Sequence, residues 1–124
     1  MYQTYIYLMY CTDDKSVLKI GLSVNPKARA STLTCEYKHM RHYKVLSMIK
    51  FTTQSEKGAR ALEALTQYNF LWYNGIKDNA ATLDHFIVDA RRNKEKFIPL
   101  FKKAVSLSAS TTTALGPLAT LETP

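Results

Sequence analysis

The chain has 124 residues, long enough for one domain with a sizeable core and too short for two. Its net charge of +7 and pI near 9.5 point to a polyanionic partner, with nucleic acid ahead of a membrane surface. Two cysteines, Cys11 and Cys35, are too few and too far apart for a zinc knuckle or a CxxC redox pair, and read as reduced, partly buried thiols of a cytosolic or nuclear protein.

Residues 3–10 are rich in aromatic and β-branched types, the composition of a strand. The stretch from Met1 to Cys11 is apolar but has no basic leader or small-residue cleavage site, and it breaks up too early to span a bilayer. Cys11-Thr12-Asp13-Asp14-Lys15 is a polar turn, and Ser16 to Leu22 is a second strand, so the pair forms an antiparallel hairpin. Period-2 alternation puts Tyr5 and Tyr7 on one face of the first strand, beside Lys19 on its partner. A tyrosine in a strand packs its ring and wets its hydroxyl in most proteins. Most of the eight tyrosines are therefore structural.

Asn25-Pro26 opens a helix running to about Leu33. Asn is a favoured N-cap, and proline at the first helical position lacks only an N–H that would be unpaired there anyway. Lys27 and Arg29 then fall in the first turn and a half, where the helix dipole disfavours cations by about 0.3–1 kcal/mol. They are either ordinary surface cations or part of an anion site made with the helix N-terminus and Gly21. Residues 37–44 mix cations and rings, Lys38, Arg41, His42 and Lys44 among them. That mixture suits contact with phosphates and exposed bases, and equally suits an exposed loop. His39 and His42 are not read as a metal site. Val45 to Phe51 is the third strand.

Thr53-x-x-Glu56 has the form of a capping box. The helix it predicts runs to about Tyr68, with Ala61, Leu62, Leu65 and Tyr68 buried. Glu56, Arg60, Glu63 and Gln67 form a second stripe, a surface ion-pair row unless Glu63, at the border of the buried face, looks into a cleft. Residues 69–81 are rich in turn signals, and Leu83 to Val88 is a short extra strand. Asp89 caps a further helix that Pro99 should break or kink, with Phe97, Leu100, Phe101 and Ala104 closing the core. Residues 107–124 have low charge and few aromatics and read as a flexible tail following a domain of residues 1–106. The fold expected is α/β (α+β): a small, mainly antiparallel three-stranded sheet flanked by helices, with a short extra strand and a C-terminal helix.

The ordered set Tyr5-Ile6-Tyr7, Lys19-Ile20-Gly21, Arg29 and Glu63 resembles the GIY-YIG nuclease superfamily. It is most similar to the branch of phages and large DNA viruses in which KIG stands in place of YIG. The resemblance spans roughly residues 3–90. It implies a metal-dependent endonuclease that hydrolyses DNA phosphodiester bonds. Glu63 would hold a single Mg²⁺ or Mn²⁺ ion with water ligands, and Arg29 would clamp the scissile phosphate. Tyr7 would serve or assist the general base, and Lys19 would replace the second tyrosine and share in proton transfer or phosphate binding. Lys27, Lys38, Arg41, His42 and Lys44 would contact the nucleic acid.

The departures from the family pattern are Tyr5 at the GIY glycine, Leu33 where many members carry a His, Gln67 where the viral branch often has one, and Asp84 in place of the usual Glu. The losses at 33 and 67 remove proton carriers. The rival expectation is therefore a catalytically inactive module of the same fold that binds nucleic acid or protein and interferes with a host complex. A third is a small-molecule or peptide-binding domain with a chance motif. The expected partner is DNA, or RNA, without a membrane. A homodimer and, for the inactive module, a host protein are the other partners weighed. The expected location is the host cytoplasm, or the nucleus of a eukaryotic host.

Overall fold

A computed structural model describes residues 1–11, 18–33, 43–73 and 94–122. The elements in chain order are β1 (Tyr2–Cys11), β2 (Leu18–Ser23), α1 (Pro26–Leu33), β3 (Tyr43–Thr53), α2 (Glu56–Tyr73), α3 (Lys94–Ala109) and the short strands β4 (Thr112–Thr113), β5 (Gly116–Pro117) and β6 (Thr120–Leu121). The main sheet has four strands in the order β2-β1-β3-β6, antiparallel throughout. This is the α+β architecture expected, with β6 as the fourth strand. The strand expected at residues 83–88 lies outside the described residues.

β1 is the axis of the sheet because its two faces are both apolar. Ile6, Leu8 and Tyr10 alternate onto one face, opposite Leu22, Ile20 and Leu18 of β2. There they join Phe51, Ala59, Leu62 and Phe70 and the α3 residues Phe97, Phe101, Ala104 and Val105 in the main core. Tyr7 and Met9 alternate onto the other face, where they pack with Ala30 of α1 and with Tyr43 and Val45 of β3. A register shift between Leu8 and Met9 pairs them with Ser47 and Val45, so Leu46 is the extra residue of a bulge.

α1 begins as the sequence predicts: the Arg29 N–H donates to the Asn25 carbonyl at 3.0 Å and the Ala28 N–H to Asn25 Oδ1 at 3.3 Å. The start of α2 is different. Its N-cap is Ser55, whose Oγ accepts from the Gly58 N–H at 3.3 Å and whose carbonyl accepts from Ala59 at 3.2 Å. Thr53 cannot cap because its backbone is committed to the ladder opposite Tyr2. Its hydroxyl instead donates to the Ser55 carbonyl at 2.7 Å, bracing the turn. α2 also continues past Tyr68 to Tyr73, and its buried residues are Ala59, Leu62, Thr66 and Phe70. Of the expected stripe only Leu62 is fully buried. Tyr68 is 57% exposed, its ring meeting Trp72 edge to face at 6.0 Å.

Two expectations for the C-terminal third are corrected. α3 runs unbroken through Pro99, which sits early in the helix on its exposed side and so forfeits one backbone hydrogen bond without displacing the core. Residues 107–122 are not a loose tail. Ser108 and Ala109 are buried in the last turn of α3. β4 and β5 then form a hairpin that turns at Gly116, whose φ of +109° favours glycine. The chain returns to the body through bonds from the Ala119 N–H to the Ala109 carbonyl (3.2 Å) and from the Glu122 N–H to the Lys50 carbonyl (2.8 Å). Leu118, Ala119 and Leu121 pack on the core. Those few apolar residues anchor a segment whose composition otherwise reads as tail. Among the described residues no helix is long and apolar enough to cross a membrane.

Candidate active site

Tyr7 stands in the middle of β1, 1% exposed, directly opposite Gly21 of β2. A Cβ at position 21 would run into the Tyr7 hydroxyl. The glycine of Lys19-Ile20-Gly21 therefore has a local cause, namely room for the end of the tyrosine ring. Lys19 pairs with Met9, which puts it on the same sheet face as Tyr7, one pair further along. Arg29 is half-buried in α1. Its neighbour Ala30 packs in the cluster of Tyr7 and Met9, so α1 overlies the face that carries Tyr7 and Lys19.

Glu63 comes from the opposite side of the sheet. It follows the fully buried Leu62 in α2 and is itself half-buried. Burial pushes its carboxyl above the ordinary 4.5, opposed by the charges of Arg60 and Lys19 and by a hydrogen bond from the Leu22 backbone N–H. The carboxylate thus sits at the outward edge of β2, within electrostatic reach of Lys19. It opens on a pocket of about 170 Å³ lined by Tyr2, Thr4, Leu22, Ser23, Glu56 and Arg60 among others. Arg60 is tied to Glu56 by a 3.0 Å ion pair and also acts on Glu63 through its charge, so the predicted surface row is present.

The structure accordingly sets Tyr7 and Lys19 on one face of the sheet under α1 and brings Glu63 from the other face, with Lys19 close enough to influence the Glu63 carboxyl through its charge. Lys27 and Lys44 are exposed. Lys44 pairs with Tyr10 and alternates to the sheet face away from Tyr7. Lys38, Arg41 and His42 lie outside the described residues. The residue that sequence reasoning undervalued is Gln67, whose Nε2 donates to the Ile20 carbonyl at 2.9 Å. Its spacing of four from Glu63 was the available signal. Among the described residues no group of three or more His, Cys, Asp and Glu gathers in one place. A cage built wholly of side chains is thus not formed there. Glu56 is committed to Arg60, so the oxygens open to a cation at the pocket are the Glu63 carboxylate and the Ser23 and Thr4 hydroxyls, a set that fits only an ion keeping most of its water.

A small α+β domain with a half-buried carboxylate and a lysine gathered at the edge of a glycine-bearing strand is the class that fold and site define. The chain belongs to the T5orf172 domain family, whose profile matches residues 4–97. This phage-associated domain is related to GIY-YIG/HNH-like nucleases. The match ends inside α3, so the last turns of that helix, the β4–β5 hairpin and β6 lie beyond it. No curated protein and no solved structure matched the chain.

Proposed function

We propose that the chain is a metal-dependent endonuclease of the KIG form, hydrolysing DNA phosphodiester bonds in a phage or viral setting. The observation that carries this reading is Glu63: a half-buried carboxylate where α2 meets β2, in a pocket with Leu22 and under the charges of Arg60 and Lys19. A half-buried carboxylate costs stability unless something uses it. Membership in the T5orf172 domain family supports a nuclease-like reaction.

In this reading Glu63 would hold a single Mg²⁺ or Mn²⁺ ion, with water completing its shell. When bound, such an ion stabilises charge developing on the phosphate and leaving oxygens. The chain's own residues do the rest. Arg29 binds two phosphate oxygens with its planar fork, fixing the scissile group. Lys19 neutralises a further phosphate oxygen, its position bounded by Met9 on one strand and Glu63 on the helix. Tyr7, with its ring locked against Gly21, orients the attacking water through its hydroxyl and helps remove its proton. Lys27 and Lys44, with Lys38, Arg41 and His42, hold the flanking backbone and add salt-dependent affinity.

Incubation with supercoiled plasmid and Mg²⁺ or Mn²⁺ tests the reading. Nicking that EDTA abolishes is the expected result. Salt-sensitive DNA binding that is indifferent to EDTA, with no nicking, would replace the enzyme by a binding module of the same fold.

A further inference from the structure

β2 is the outermost strand of the main sheet. The backbone groups that Ile20 and Leu22 turn away from β1 therefore need partners from outside the sheet. α2 brings two polar side chains of one stripe, Gln67 and Glu63, to this edge. Gln67 Nε2 donates to the Ile20 carbonyl at 2.9 Å, across 47 residues of sequence. Glu63, four residues before Gln67, lines one pocket with Leu22, and the Leu22 backbone favours its charged form.

Along one strand edge the C=O of a residue and the N–H two residues on point the same way. On a helix, residues four apart lie one above the other. The two spacings match here, so the side chains at 67 and 63 do for β2 what a neighbouring strand would do. The polarity is also specific. The carbonyl needs a donor and finds an amide, and the carboxylate set beside Leu22 is of the type its N–H needs as an acceptor. The clamp spans Gly21, the residue opposite Tyr7, and lies next to Lys19.

We infer that Gln67 is a positioning residue: its bond to Ile20 locks α2 in register against β2 and thereby holds Glu63 against Leu22 and beside Lys19. The consequence for cleavage rests on the role of Glu63 proposed above. The clamp itself requires neither metal nor DNA.

Gln67→Met keeps the length of the side chain and removes the donor, and Gln67→Glu keeps the length and turns an oxygen toward the Ile20 carbonyl. Residue-resolved amide exchange by NMR, with melting temperature and Mn²⁺ binding read from paramagnetic broadening at Leu22, distinguishes the clamp from a merely exposed glutamine. Both variants should fold, with the Leu22 amide exchanging on the order of tenfold faster through local opening of this edge, and with more Mn²⁺ needed for half-maximal broadening. Should Gln67→Met fail to fold, Gln67→Glu is read the same way. Unchanged Leu22 exchange in a folded variant would overturn the proposal. Faster exchange in a chain whose wild type binds no Mn²⁺ would uphold the clamp while removing the metal from Glu63.

Discussion

Tyr7 and Gly21 face each other in the β1–β2 ladder, and the tyrosine ring fills the volume that a side chain at position 21 would occupy. The ring is buried, so making room for a Cβ requires its packed surroundings to shift. Gly21→Ala should therefore destabilise the fold by about 1–3 kcal/mol, the usual cost of overpacking a filled core, despite the alanine's lower unfolded-state entropy. Urea unfolding measures this. A variant as stable as the wild type would show that the Tyr7 ring yields. Where Gly21→Ala folds, the account expects its cleavage to fall further than its stability, since the displaced hydroxyl is the one assigned to the water.

Glu63 links pH to both stability and activity. Burial raises its carboxyl above the ordinary 4.5, so just above that pH the folded chain holds more protons than the unfolded one. The group's contribution to stability therefore falls as pH rises through this window. Above it the carboxylate is a burden on the fold. Glu63→Gln should melt at the wild-type temperature or higher at pH 7, while cleavage is lost. Cleavage by the wild type should decline on acidification at a pH higher than 4.5, as protonation removes the metal ligand. Thermal melts of both proteins across pH 4–7 check the first point and a pH–rate profile the second. A large loss of stability in Glu63→Gln at pH 7 would contradict it.

Pro99 lies inside α3 with its ring exposed. It removes one helical N–H and contributes no buried contact. Pro99→Ala is expected to raise stability by roughly 1–3 kcal/mol, the scale set by the helix preferences of the two residues. Chemical denaturation reads the change directly, and activity should be unaffected.

The segment after α3 closes the edge of β3. Deleting residues 111–124 removes Leu118, Ala119 and Leu121 from the core margin and uncovers the β3 edge at Phe51 and Thr52. The expected cost is about 2–4 kcal/mol from lost apolar burial, with a tendency to associate through the bared edge. Denaturation and size-exclusion chromatography test both parts.

The legibility of these features in the sequence followed their physics. Asn25-Pro26 is a local signal, and the helix starts where that signal puts it. The β1–β2 hairpin and its alternation were equally legible, since period 2 fixes which side chains share a face. Thr53 misled because a capping motif and a strand end compete for the same residue, and the ladder opposite Tyr2 won. The buried stripe of α2 was off by about one residue because tertiary packing, not periodicity, chose Thr66 and Phe70 over Leu65 and Tyr68. Residues 111–122 carry too few apolar groups for a local pattern, and only the long-range pairing with β3 orders them. Of the site, the sequence order of Tyr7, Lys19, Arg29 and Glu63 was legible through family resemblance. The Gln67–Ile20 bond was not, because it joins residues 47 apart that no local rule relates.

The central claim is that Glu63 and Arg29 both serve the proposed phosphodiester hydrolysis. Nicking of supercoiled plasmid with Mg²⁺ or Mn²⁺, wild type beside Glu63→Ala and Arg29→Ala, tests it most directly. The account predicts metal-dependent nicking by the wild type that both substitutions abolish while each variant still folds. Nicking that survives Glu63→Ala would contradict it.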